Sequence, residues 1–359
     1  MDDRKRTWSQ DYRALHWAIN DAPDVTMHPD YDRHIAEFRN IFIEHPRLTY
    51  MHKAFNSLRR EALINRGKEQ FVVPVIGPSQ SGKTTAIESY VELIKKKKDI
   101  PKGHMPVVRV NLSPRSSLKQ FQSDILAPLV IDDTGYCDTS ELTSGTEAEF
   151  RARVRRYAEL RRTELIVIDE AQHVLRANNP HRAKQVADMV KLMSIEGATA
   201  FAVVGTEESW PIFHSNGDQT PYRCMEPLIL SPLDFEDEKE AKMFKGYVAL
   251  LDEKLTQHHL TSEYSDFAEG DMPAAFWEVT RGILERVSRV VRTAWQYSFA
   301  LGSPRVERMH LAAAIDRWAF PLNLCRTNPF RDGAREIHVI KDEWVRNPSP
   351  ERAWERACI

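Results

Sequence analysis

One junction constrains this chain more than any other: the apolar run Phe71-Val72-Val73-Pro74-Val75-Ile76 passes directly into Gly77-Pro78-Ser79-Gln80-Ser81-Gly82-Lys83-Thr84. An unbroken apolar run of this length reads as a strand covered on both faces, and a glycine-bearing loop that ends in Lys-Thr before a helix is a Walker A loop in its required context. The chemistry of a polyphosphate explains the residue types. Loop and helix-terminal positions Gly77, Pro78, Ser79, Gln80, Ser81, Gly82, Lys83, Thr84 and Thr85 surround the anion; Lys83 reaches its β- and γ-phosphates, and the Thr84 hydroxyl coordinates Mg²⁺. Gly82 has no Cβ and lets the backbone come close to the anion. A simple glycine turn between a strand and a helix would leave the Lys-Thr pair unexplained.

The second half of an ATP site follows, where Leu165-Ile166-Val167-Ile168 ends in Asp169-Glu170. Asp169 at the strand's C-terminal end would join the Mg²⁺ shell, and Glu170 would orient and polarise the attacking water. Acidic pairs commonly cap apolar strands, so this signal gains its meaning from the Walker A loop before it. A third apolar run, Thr199-Ala200-Phe201-Ala202-Val203-Val204, ends in Gly205-Thr206. Thr206 fits two roles equally, a polar sensor of the γ-phosphate or the cap of the helix that follows. The expected ligands are therefore ATP and Mg²⁺.

With 42% hydrophobic and 28% charged residues, the 359-residue chain has ordinary globular values and can bury one large core and a smaller one. The charged start Met1-Asp2-Asp3-Arg4-Lys5-Arg6 leads into no signal-peptide core, and no apolar run approaches the ~20 residues of a membrane helix. A cytoplasmic location is expected. Cys137, Cys224, Cys325 and Cys358 are too scattered for a zinc motif or a disulfide framework and suit a reducing compartment. Composition divides the chain into an arm over 1–45, an α/β core over 46–231, a helical lid over 232–320 and a tail over 321–359. The core is expected to begin with a helix, Leu48–Arg66, and to carry five mainly parallel strands, adding Pro106–Leu112 and Leu228–Leu230 to those above, in three α/β layers. Helices over Glu236–Leu255, Phe276–Gly302 and Arg305–Trp318 would build the lid. The arm reads as helical pieces outside any core. The tail, with Pro329, Gly333, Pro348 and Pro350 among charges, reads as a segment for a partner.

A net charge of −2 gives no general attraction to nucleic acid, so any such contact needs a local basic face. Glu147–Arg162 reads as a helix that buries Phe150, Val154, Tyr157 and Leu160 and sets Arg151, Arg155 and Arg162 along solvent, with Arg153, Arg156 and Arg161 widening that face. Such a face is either a solvated helix or a DNA contact. The lysine run Lys95–Lys98 marks the end of the helix after the Walker A loop.

Taken together, the Walker A loop, the I-V-I-D-E-A-Q-H run Ile166–His173, the strand end Val203–Glu208, Arg223 and the T-R-G element Thr280–Gly282 resemble TnsC/TniB-type AAA+ regulators of DNA transposition, over about residues 45 to 320. His45-Pro46-Arg47 is similar to the start of the core in TniB-like proteins. The resemblance implies the AAA+ P-loop NTPase fold and an ATPase that assembles as a ring or helical filament around double-stranded DNA. It further implies a target-selection protein of the TniQ type and transposase subunits as partners, the arm meeting the former and the tail around Asn328-Pro329-Phe330 the latter. In that family DNA is held just after the second strand and at the start of the helix before Walker B. Here those places are Ser116–Lys119, with Lys119 and Arg115 as basic candidates, and Gly145-Thr146, with Arg151 and Arg155 further along the helix. Thr146-x-x-Glu149 is also a capping box, which starts a helix with or without DNA. Arg223 holds the usual place of the arginine that completes a neighbouring subunit's site. The family's lid arginine would fall on Glu285, whereas arginines stand at Arg286 and Arg289.

Other functions remain open on the sequence alone. Asp169-Glu170-Ala171-Gln172 is also similar to a helicase motif, yet no second strand-rich domain follows it. The main alternative is an AAA+ switch of a secretion system, similar to ExeA, or of a defence system, acting on a protein partner without DNA. Intact Lys83, Asp169 and Glu170 argue against a purely structural module.

Overall fold

The computed structural model describes residues 12, 14, 15, 18–20, 28–97, 99–113, 117–131, 139–175, 180–214, 223–322 and 324–346. They form two compact units, one over 46–231 and one that combines 1–45 with 232–359.

The first unit is built on a five-stranded sheet, β1 (Val72–Ile76), β2 (Val107–Asn111), β3 (Leu165–Asp169), β4 (Ala200–Gly205) and β5 (Leu228–Ile229), in the order β2-β3-β4-β1-β5. Every strand pair is parallel. Strands β1, β3 and β4 are buried along their whole length, which is why they read as unbroken apolar runs rather than as alternating patterns. Their side chains divide by the two-residue period of a strand. Leu165, Val167, Ala200, Ala202, Val73 and Val75 face one way, packing with Phe55 and Leu58 of α1 (Pro46–Ile64) and Ile87 and Tyr90 of α2 (Lys83–Lys95). Ile166, Ile168, Val108, Val110, Phe201 and Val203 face the other way. There they meet Phe121 and Ile125 of α3 (Leu118–Val130), Phe150 and Val154 of α4 (Glu147–Leu160), and Val186 and Val190 of α5 (Pro180–Ile195). Two helical layers thus enclose the sheet.

On α4 the buried stripe is Phe150, Val154 and Ala158, whereas Leu160 is 65% exposed and Tyr157 half-buried. The four-residue spacing wins because Phe150, Val154 and Ala158 keep to one face, whereas Leu160 stands two residues past Ala158, about 200° around the helix, and faces out.

The second unit is helical: α6 (Glu238–Gln257), α7 (Met272–Thr280), α8 (Leu284–Ala300), α9 (Arg308–Ala314) and α10 (Ile337–Arg346). The continuous helix expected over Phe276–Gly302 is broken, because Arg281 and Gly282 take left-handed conformations at φ 55° and 76°. The T-R-G element, Thr280–Gly282, therefore lies between two helices, directly before α8. Gly282 is dictated by contact as well as by φ, since a Cβ there would sit 2.2 Å from the Leu233 carbonyl oxygen.

The arm and the tail depart from the expectation that they lie outside any core. Tyr12, Leu15, Phe38 and Ile43 from the arm, with Phe330, Ile340 and Trp344 from the tail, share one apolar core with Trp277, Trp295 and Phe276. Asn328 is fully buried, donating from Nδ2 to Ala312 O and Asp316 Oδ1 at 2.8 Å each, and Pro329 and Phe330 are buried beside it. These three residues therefore lie inside the core rather than on the surface, and the aromatic anchors around them explain why. Residues 1–11 and 347–359 lie outside the described residues. Among the described residues, no helix is long and apolar enough to cross a membrane.

Candidate nucleotide site

Strand order brings the motifs together. Because β4 lies between β3 and β1, the C-terminal ends carrying Asp169, Gly205-Thr206 and Gly77 stand side by side on one edge of the sheet, where open α/β sheets bind ligands. The Gly77 amide donates to Gly205 O at 3.2 Å and ties the Walker A loop to the end of β4. Gly77 is closely walled: a Cβ there would meet Leu230 Cβ, Leu230 O and Ser81 Oγ at 2.9 Å each. Gly82 has open space around it but sits at φ 91°, so its role is conformational, and Gln80 adopts a left-handed φ of 67°. The Lys83 ammonium is buried and donates to Gly77 O at 2.8 Å, Pro78 O at 2.7 Å and Ser81 Oγ at 3.3 Å, so the loop pre-positions its own cation. Ser79 and Thr85 flank this cradle at the loop and on the first turn of α2.

Thr84 Oγ1 donates to Asp169 Oδ2 at 3.2 Å. This hydroxyl and carboxylate are the hard oxygen donors that Mg²⁺ takes, and the Asp169 side chain is fully buried, so the pair fits the ion. Arg109 on β2 was not anticipated. Its Nη2 lies 3.0 Å from Asp169 Oδ2, and its Nη1 pairs with Glu88. The sequence signal was a lone charge inside the apolar strand Val107–Asn111.

Glu170 follows β3 in a left-handed conformation, φ 58° and ψ 40°, which costs a non-glycine residue on the order of 1 kcal/mol or more. Its carboxylate accepts from Gln172 Nε2 and lies 3.7 Å from His173 Nε2, while His173 Nδ1 lies 3.1 Å from Leu112 O at the end of β2. The Gln172 side-chain Oε1 accepts the Thr206 backbone N–H at 3.1 Å. Thr206 starts the turn Glu207–Ser209 without a side-chain cap, and its Oγ1 is buried with no hydrogen-bond partner. Of its two open roles, the capping one is not made by the hydroxyl.

Arg223 lies at the opposite edge of the sheet, where its neighbour Cys224 bridges Val72 at the start of β1. The four residues from Val72 to Ile76 separate it from the Walker A loop by about 13 Å of strand. It pairs with Glu69 and cannot serve the site of its own chain.

The basic candidates divide. Lys119 is exposed on the first turn of α3, and Thr146 is exposed at the start of α4. Thr146 closes the capping box, its amide donating to Glu149 Oε2 at 2.6 Å. Arg151 is 19% exposed and pairs with Glu196 at 3.1 Å instead of lying along solvent. Arg153 donates to the carbonyls of Glu141 and Ser144, and Arg161 to those of Leu129, Gly103 and Ile131, so both serve the fold. Arg155 remains on the surface beside Glu159 at 3.1 Å. Arg115 and Ser116 lie outside the described residues.

The model of the bacterial TniB protein family matches residues 37–224, more than half of the chain. Among curated proteins, none matches the sequence. Similar solved structures include the ORC1 protein of Aeropyrum pernix in complex with DNA, at 14% identity and TM-score 0.51, covering 82% of this chain and 68% of that one. Cdc6p from Pyrobaculum aerophilum is similar at 12% identity and TM-score 0.55, covering 86% and 84%. Drosophila ORC bound to DNA is similar at 13% identity and TM-score 0.51, covering 94% and 84%. Identities this low speak for the fold alone. With its Walker elements gathered on one sheet edge and its sequence matched by the family model, the chain belongs to the TniB family and is an AAA+ ATPase.

Proposed function

We propose that this protein is an ATP-dependent regulator of DNA transposition that assembles as a homo-oligomer on double-stranded DNA and links a TniQ-type target selector to transposase subunits. The family match over residues 37–224 carries this reading. Two similar structures, of Aeropyrum pernix ORC1 and Drosophila ORC, are of proteins bound to DNA, which is in keeping with it.

In this account ATP is held by Gly77–Thr85, with Lys83 moving from the loop carbonyls to the β- and γ-phosphates. Thr84 and Asp169 would hold Mg²⁺, which when bound would supply positive charge to the phosphate oxygens. Glu170 accepts the proton of the attacking water, and Thr206 Oγ1 donates to the γ-phosphate. Arg223 of a second copy completes the site, because the same residue of the first copy is on the far edge of the sheet. Lys119, Thr146 and Arg155, with Arg115, would meet DNA phosphates, and the ion pair of Arg151 with Glu196 would have to open for it to join them. ATP state then sets the lifetime of the DNA-bound form.

Lys83→Ala is expected to abolish nucleotide binding and DNA binding together. Glu170→Gln is expected to keep nucleotide affinity, slow hydrolysis by about 10²–10⁴-fold and lengthen the DNA-bound lifetime. Nucleotide titration, phosphate release and dissociation from labelled DNA measure these quantities. DNA affinity unchanged in Lys83→Ala, or faster DNA release by Glu170→Gln, would contradict ATP-gated assembly.

A further inference from the structure

Beside Glu170 stands a carboxamide that neither phosphate binding nor metal binding requires. Gln172 lies on the short turn Ala171–Val174 and spans the gap between two strand ends. Its Nε2 donates to Glu170 Oε2, after β3, and its Oε1 accepts the backbone N–H of Thr206, after β4. The two ends of the amide are not interchangeable here, since a carboxylate can only accept and a backbone N–H can only donate. The space for this bridge is kept by Gly205, where a Cβ would lie 2.7 Å from Gln172 Oε1 and 2.1 Å from Ser209 Oγ. The left-handed backbone of Glu170 completes the arrangement by turning its side chain back toward Gln172.

We propose that Gln172 is a positioning residue for hydrolysis, fixing the Glu170 carboxylate against the end of β4. This rests on the reading of Glu170 as the group that activates water. The amide occupies Oε2 and leaves Oε1 for the water, so only one carboxylate oxygen is in play. A side chain with three freely rotating bonds would otherwise sample several rotamers, few of them productive. The same amide ties the base to Thr206, so a shift of the β4 end on phosphate contact is passed to the base through one residue. The sequence hid this role. In D-E-A-Q the glutamine reads as part of a strand-end motif, and its second partner is 34 residues away.

Two variants separate the two ends of the bridge. Gln172→Met removes both hydrogen bonds at similar volume, and Gln172→Glu keeps an acceptor for the Thr206 amide while losing the donor to Glu170. In the full chain with double-stranded DNA, both are expected to lower single-turnover hydrolysis about 10- to 100-fold, with affinity for a fluorescent ATP analogue within about 2-fold of the parent. In the Glu170→Gln background, Gln172→Met should then cause no further loss. A Gln172→Glu chain hydrolysing at the parent rate would show that the amide only supports β4, and the proposal would fall. So would parent-like rates in both variants. If Gln172→Met fails to fold by thermal unfolding, the near-isosteric Gln172→Glu decides alone. Hydrolysis by Glu170→Gln at the parent rate would instead remove the reading of Glu170 itself. Loss in Glu170→Gln with none in the Gln172 variants would leave that reading standing and overturn only the role of Gln172.

Discussion

His310 sets an acid limit on the helical unit. It is 2% exposed, its Nδ1 accepts the Glu307 amide at 3.0 Å, and burial pushes the imidazole down to about 4 from 6.5. Below pH 6.5 the unfolded chain takes up a proton that the folded unit refuses. Its contribution is therefore intact above that value and is lost as pH falls toward 4, by about 3 kcal/mol in all. His310→Gln retains an acceptor for the cap and removes the titration. Thermal unfolding between pH 7 and 4.5 should show the parent losing more stability than the variant; parallel losses would refute this assignment. At this scale Lys83, Thr84, Asp169 and Glu170 were legible because phosphate and metal chemistry dictates both residue type and spacing. Arg109 and Gln172 were not, because each acts across strands that only the folded sheet makes neighbours. Arg151 looked like a solvent-face arginine for the same reason, as Glu196 lies beyond the next strand.

Elements are bounded here by backbone conformation more than by periodicity. The strand runs were legible to within a residue or two because full burial on both faces leaves an unbroken apolar signature. The break between α7 and α8 was not, since amphipathic spacing continues across Arg281-Gly282 while the backbone reverses. Two glycines separate conformation from contact. Gly82→Ala, at φ 91° with open space, should cost about 1 kcal/mol of stability. Gly282→Ala, at φ 76° and with a Cβ 2.2 Å from backbone oxygen, should cost about 2–4 kcal/mol. Urea unfolding midpoints measure both, and equal effects would contradict the close approach to Leu233. On α4 and just after it, Arg153 and Arg161 hold carbonyls of neighbouring segments, so two of the six arginines of the apparent basic face are architecture.

On the scale of the molecule, the sheet puts Arg223 and the Walker A loop on opposite edges, so under the proposed function a second copy in head-to-tail contact would supply Arg223 to the site. Glu170→Gln and Arg223→Ala should each be nearly inactive alone, yet regain hydrolysis when mixed. In the mixture some interfaces join the intact Glu170 of one copy to the intact Arg223 of the next. No recovery across mixing ratios would count against a shared site. The arm and tail show where sequence reading stopped: Tyr12, Phe330 and Trp344 join a core through contacts across the whole chain, which no local pattern records. The central claim is nucleotide-gated assembly on DNA. Electron microscopy of the purified protein with linear double-stranded DNA, with ATP, with a non-hydrolysable analogue and without nucleotide, tests it most directly. Regular rings or filaments on DNA only when nucleotide is present are predicted. The absence of DNA-bound assemblies in every state would contradict the account and favour an ATPase switch acting on a protein partner.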